Sequence, residues 1–187
     1  MKKITIALLT LSLLQGCAVA LVAGVGAGAA SINDRRTIGA QVDDQAIEVK
    51  AYALLADKKL VTDATRVQVT SLNGTVLMVG QAPSEQVRRQ IQDTVKGILG
   101  IKKIHNQIRV AQKTGLGTRT NDTWLTTKVK TELLASDKID GTAIKVVTED
   151  SEVFLMGLVN NKEANIAVDI VRNINGVARV YKAFQAI

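Results

Sequence analysis

The chain predicts an α+β protein made of two tandem αββαβ units. Each unit has two helices on one face of a three-stranded mixed sheet. Three observations predict it. The sequence repeats itself: Asp44-x-x-Ile47-x-x-Lys50 returns as Asp122-x-x-Leu125-x-x-Lys128, 78 positions on. Val76-Leu77-Met78-Val79-Gly80 returns 77 positions on as Val153-Phe154-Leu155-Met156-Gly157, and Ile98-Leu99-Gly100-Ile101 returns 76 on as Ile174-Asn175-Gly176-Val177. A drift of one residue at a time is what small loop deletions leave. Secondly, Leu125, Val129 and Leu133 stand at i, i+4 and i+8, the stripe of a half-buried helix. Thirdly, Asn73-Gly74 between two apolar runs is a type I′ hairpin signal.

The elements follow in order. An acidic cap predicts a first helix from Asp44 to Ala56, matched by Asp122 to Ala135. Arg66 to Leu72 and Thr75 to Gln81 flank the Asn73-Gly74 turn; the second copy turns at Glu149-Asp150-Ser151. A second helix carries Val87, Ile91, Val95 and Ile98, answered by Ala167, Val171 and Ile174. Closing strands run over Lys103 to Val110 and Arg179 to Ile187. Roughly 65 residues make a marginal core alone, so the copies are expected to pack on one another.

Ahead of the repeats, Lys2-Lys3 and an apolar stretch from Ile4 to Leu14 lead to Gly16-Cys17. This is the layout of a secretory signal over 1–16. The only cysteine of the chain stands at the expected cut, and Leu13-Leu14-Gln15-Gly16-Cys17 resembles the lipobox of bacterial lipoproteins. Cys17 is thus the expected lipidation site, carrying acyl chains such as palmitate. Gln15, Gly16, Gly24, Gly26 and Gly28 interrupt the apolar stretch, against one uncleaved span running on to Ala30. The expected organisation is 1–16 signal peptide, 17–42 lipidated N-terminus and tether, 43–111 first unit, 112–121 linker and 122–187 second unit.

The αββαβ units with an apolar run ending in glycine, Val76 to Gly80 and Val153 to Gly157, resemble BON domains. Two such units behind a lipobox resemble the dual-BON outer-membrane lipoproteins of Gram-negative bacteria. The resemblance covers residues 13 to 187 and implies binding of anionic phospholipid, phosphatidylglycerol or cardiolipin, through the second BON domain. It also implies a place on the inner leaflet of the outer membrane, facing the periplasm, with enrichment at the division septum and a role in envelope integrity. Ala18 after the cysteine, rather than Asp, implies outer-membrane sorting.

No catalytic constellation is present, and neither a metal site nor a cofactor is expected. The one histidine, His105, alternates with Ile104 and Asn106 on a strand and is expected at solvent; the one cysteine is committed to lipid. Gly80 and Gly157 end apolar strands, where a close backbone approach or bulge explains them. A net charge of +7 suits anionic headgroups, and nucleic acid is excluded as a partner by export.

The informative contrast is between the two first helices. At about 100° per residue, with Trp124 at 0°, the core stripe centres near about 140°. Thr127, Lys128, Thr131 and Leu134 share the outer side with Trp124, while Ala46 holds the matching place in the first copy. The residues alone allow two settings for the indole. One is a lipid–water boundary, with Lys128 and Lys130 meeting phosphates and Leu116 joining the surface. The other is a seam against the first domain or the linker. The family resemblance favours lipid. The alternative function is an adaptor docking an envelope protein, such as an outer-membrane assembly factor or a septal cell-wall regulator.

Overall fold

The computed structural model describes residues 34–187. The expected signal segment, Cys17 and most of the expected tether lie outside the described residues. The first copy runs α1 (Ile38–Asp57), β1 (Arg66–Leu72), β2 (Thr75–Ala82), α2 (Glu85–Lys96) and β3 (Lys103–Val110). The second runs α3 (Leu116–Leu134), a short 3₁₀ turn (Gly141–Ala143), β4 (Ile144–Glu149), β5 (Glu152–Val159), α4 (Asn161–Arg172) and β6 (Arg179–Ala186). Strand order is β1-β2-β3 and β4-β5-β6. The hairpin pair in each sheet is antiparallel, and the closing strand joins parallel after its crossover helix. This is the αββαβ plan, drawn twice.

The first helices are longer than the acidic caps predict. α1 starts at Ile38, inside the expected tether, because the Thr37 hydroxyl caps it by accepting from the Ala40 N–H at 3.1 Å. α3 starts at Leu116 after Gly115, so most of the expected linker is helix. Asp44 and Asp122 therefore lie inside helices and are buried. Their carboxylates hold the hairpin turns instead. Asp44 accepts from the Asn73 N–H at 2.6 Å, the Gly74 N–H at 2.9 Å and the Ser71 hydroxyl at 2.7 Å. Asp122 accepts from the Asp150 and Ser151 N–H groups, both at 2.8 Å. Asp150 and Ser151 have φ of 51° and 62°, a left-handed pair that the two bonds stabilise without glycine. Burial alone would raise the Asp44 carboxyl. Hydrogen bonds from Gly74, Ser71 and Asn73 and the Arg36 guanidinium outweigh burial and hold it below the usual range.

Each copy buries its helices on one sheet face. Ile47, Ala51 and Leu55 of α1 meet Val69, Val76 and Met78 of the sheet and Ile91 and Val95 of α2. Leu125, Val129 and Leu133 of α3 meet Val146, Val153 and Leu155 and Val171 of α4. The alternate strand residues face the other way and join the copies. Leu72, Leu77 and Val79 pack on Val147, Phe154, Met156 and Ala183, with the Phe154 and Tyr181 rings stacked 4.8 Å apart. The result is four layers: helix, sheet, sheet, helix. Strands β2 and β5 are buried on both faces, hence the unbroken apolar runs Val76 to Val79 and Val153 to Met156.

Polar groups fasten the same seam. The Arg66 Nε sits 3.2 Å from both oxygens of buried Glu149, which also accepts from Gln81 at 2.8 Å. Arg35, before α1, reaches across to Glu163 at 2.6 and 2.8 Å and to the Leu158 carbonyl at 3.0 Å. That Arg35 fork holds the Glu163 carboxyl down to about 2. His105, expected at solvent, is half-buried in register with seam residue Leu77. Burial, and to a lesser degree Lys103, lowers its imidazole. Gly80 has φ +126° and a Cβ there would run into the Arg66 carbonyl; a Cβ on Gly157 would lie 2.7 Å from the Ala143 carbonyl. Close backbone approach accounts for both glycines.

Candidate functional site

α3 presents a long outer face opposite its core stripe. Leu116, Trp124 and Leu134 stand on it at 75%, 56% and 59% exposure, interleaved with exposed Thr127, Lys130 and Thr131. All seven residues expected at the lipid surface, Lys128 included, belong to this one helix. Extending the helix back to Leu116 puts that leucine on the same side as Leu134, about 18 residues or five turns away. The helix is rich in threonine. Thr120, Thr123, Thr126, Thr127 and Thr131 each donate their hydroxyl to the carbonyl four residues back.

Trp124 is not in the seam. Its indole stands at solvent with the Lys128 Nζ 5.0 Å from the ring centroid, a cation–π contact. The indole leans on the loop after α4. Gly176, at φ +102°, brings its backbone close enough that a Cβ would lie 4.0 Å from the Trp124 ring edge. In the first copy Ala46, Lys50 and Gly100 occupy the matching places, and they border a shallow depression of about 270 Å³ where the second copy has its ring. That copy exposes Leu99 instead, at 91%. The two copies share a backbone plan and differ in what they offer to a surface.

On the other flank of α3, a cleft of about 420 Å³ separates the helix from β1 of the first copy. It contains Thr127 and Lys130 of the expected set, and three residues that sequence reasoning missed: Arg66, Gln68 and Arg119. The Arg119 Nε is buried with no hydrogen-bond partner among the described residues. Treating 112–121 as linker hid Arg119. Starting the helix at Gly115 would have set it one turn before Thr123 on an open face. Lys130 and Leu134 also border a hollow of about 300 Å³ beside Arg35 and Arg36. Those two guanidiniums are already bound, by Glu163 and by Asp34 and Asp44. Among the described residues no cluster of His, Cys, Asp or Glu could hold a metal, and no helix is long and apolar enough to cross a membrane.

Two αββαβ units, each with a glycine inside its central apolar strand, two residues before the strand ends, define the class: residues 43–112 and 121–187 each match the BON domain, and the chain belongs to the BON-domain family. It is 35% identical over 185 residues to the outer membrane lipoprotein DolP of Haemophilus influenzae, covering 99% of this chain and 96% of that protein. It is 39% identical over 150 residues to a 21 kDa hemolysin of Actinobacillus pleuropneumoniae, covering 80% and 77%. It is also 27% identical over 146 residues to osmotically-inducible protein Y of Escherichia coli, covering 76% and 72%.

Proposed function

We propose that this protein is a lipid-anchored component of the outer membrane that binds anionic phospholipid through α3 of its second BON domain. In this reading Cys17 carries the acyl anchor, the folded domains face the periplasm, and the protein supports envelope integrity at the division septum. It acts as a binding protein and not as a catalyst. The anchor rests on the Gly16-Cys17 signal, and the location on the similarity to a protein named as an outer membrane lipoprotein. Mass spectrometry of the membrane-extracted chain should find an acylated Cys17 as its first residue. An intact Met1 or a bare Cys17 would remove the anchor.

The observation that carries the lipid reading is the exposed pairing of Trp124 with Lys128, flanked by Leu116 and Leu134 on one helix. A ring and two leucines enter the apolar boundary while ammonium groups meet phosphates. Each cation contributes about 1 kcal/mol near an anionic surface. Flotation of the chain carrying Cys17→Ser, free of acyl chains, should give binding to phosphatidylglycerol vesicles, weak binding to phosphatidylcholine, and loss of the difference at high salt. Equal binding to both vesicle types, or to neither, would count against the anionic-lipid reading.

A further inference from the structure

The cleft between α3 and β1 gathers three cations, Arg66, Arg119 and Lys130, of which only Arg66 is engaged by a carboxylate. Most arginines lining other surfaces are bound by carboxylates, as Arg35, Arg36, Arg88 and Arg109 are. Arg119 and Lys130 make no ion pair among the described residues, and the Arg119 Nε is buried with its N–H unanswered. An enclosed donor without an acceptor is costly, so the Arg119 guanidinium gains by turning toward an acceptor that the cleft receives. Arg66 commits only its Nε to Glu149, which leaves its terminal nitrogens for the cleft. Asp122, which also borders the cleft, is turned to the Asp150 and Ser151 amides.

The hydroxyls give the second half of the chemistry. Thr123 donates to the Arg119 carbonyl at 3.0 Å, and Thr127 donates to the Thr123 carbonyl at 3.1 Å. With their protons committed, these oxygens offer lone pairs only. A group that fits must bring an anion to Arg119, Arg66 and Lys130 and hydroxyl donors to the threonines. A bare phosphate satisfies the first demand, whereas a glycerol phosphate satisfies both. A zwitterionic headgroup would bring an ammonium against three cations.

We infer that this cleft is a glycerol-phosphate site shared by the two BON domains, with Arg119 as its central donor. The inference rests on the lipid-contact reading of α3 when the ligand is a lipid headgroup, and stands apart from it when the ligand is a soluble glycerophosphate. At about 100° per residue, Arg119, Thr123, Thr127 and Lys130 span roughly 220° to 300° from Trp124, so they form one flank of the same outer face. Trp124 would set depth in the membrane while the cleft holds the headgroup. Because Arg66 comes from the first copy, the site exists only when both copies are docked.

The test uses the full chain with Cys17→Ser and two probes, soluble sn-glycerol 1-phosphate and phosphatidylglycerol vesicles. The Arg119 Nε–H resonance and the Trp124 emission are followed at constant ionic strength. Glycerol phosphate is expected to move the Arg119 signal where chloride does not. Arg119→Gln should weaken vesicle binding about tenfold while the Trp124 emission still shifts to the blue at saturation. Should Arg119→Gln misfold by circular dichroism, Lys130→Gln is measured in its place. An Arg119 signal unmoved by both probes, with Trp124 still shifting on vesicles, would overturn the cleft and leave the lipid surface standing. A signal moved by glycerol phosphate, with Trp124 silent on vesicles, would uphold the cleft as a soluble-phosphate site and remove the membrane contact.

Discussion

Trp124→Ala is expected to lower affinity for phosphatidylglycerol vesicles about ten- to hundredfold and to leave the fold intact. Roughly half of the ring already touches protein, and the exposed part is about 100 Å² of apolar surface. At about 25 cal/mol per Å², its transfer contributes about 1.5–3 kcal/mol, and about 1.4 kcal/mol is tenfold. The fold should survive because the ring belongs to no core. Leu125, Val129 and Leu133 fill the second core and the seam is built elsewhere. Removing the ring also frees Lys128 from its cation–π contact, so the salt sensitivity of the remaining binding should rise. Vesicle binding and circular dichroism on the same variant check both halves. Native spectra with unchanged binding would take Trp124 out of the site, and lost spectra would show that the ring supports the fold.

Phe154→Ala is expected to destabilise the protein by about 3–5 kcal/mol, the range for deleting a buried aromatic ring. Phe154 is 2% exposed, lies in the seam cluster and stacks on Tyr181, so its loss leaves a cavity between two sheets that have little freedom to close it. Against a total stability of about 5–15 kcal/mol this is a large fraction. The two helix-facing cores remain, so the loss should appear first as undocking of the copies. Urea unfolding followed by circular dichroism measures the change. A loss under about 1 kcal/mol would mean that the copies are held by their polar bridges alone. Since Arg66 and Arg119 come from different copies, the same variant should weaken glycerol-phosphate binding under conditions where each copy is still folded.

Most of the architecture was legible because it is local and repeated. The strands Arg66–Leu72 and Lys103–Val110 end where the apolar pattern and turns say, and the recurrence near 77 positions carries the second copy with the first. The outer placement of Trp124, Thr127 and Leu134 was legible too, because a helix repeats every 3.6 residues wherever it begins. Two things were not. Asp44 and Asp122 look like caps, since an acid before a helical stripe usually is one. That each instead holds a hairpin turn, roughly 28 residues away in sequence for both, depends on β1–β2 and β4–β5 folding back onto the helices. Glycines at 115 and 117 look like linker, and the helix that runs through Gly117 brings Arg119 into the cleft.

By itself the sequence determined the αββαβ plan, its duplication, and the contrast between Trp124 and Ala46. Periodicity and repetition depend only on neighbours along the chain. Tertiary structure decided which strand faces meet: Leu77 and Val79 against Phe154 and Met156. An unbroken apolar run says that both faces of a strand are buried, and not what covers each. The tertiary structure also decided that Trp124 stands at solvent and that Arg66 and Arg119 share one cleft. Both are relations between surfaces far apart in sequence, and they exist only once two sheets have packed.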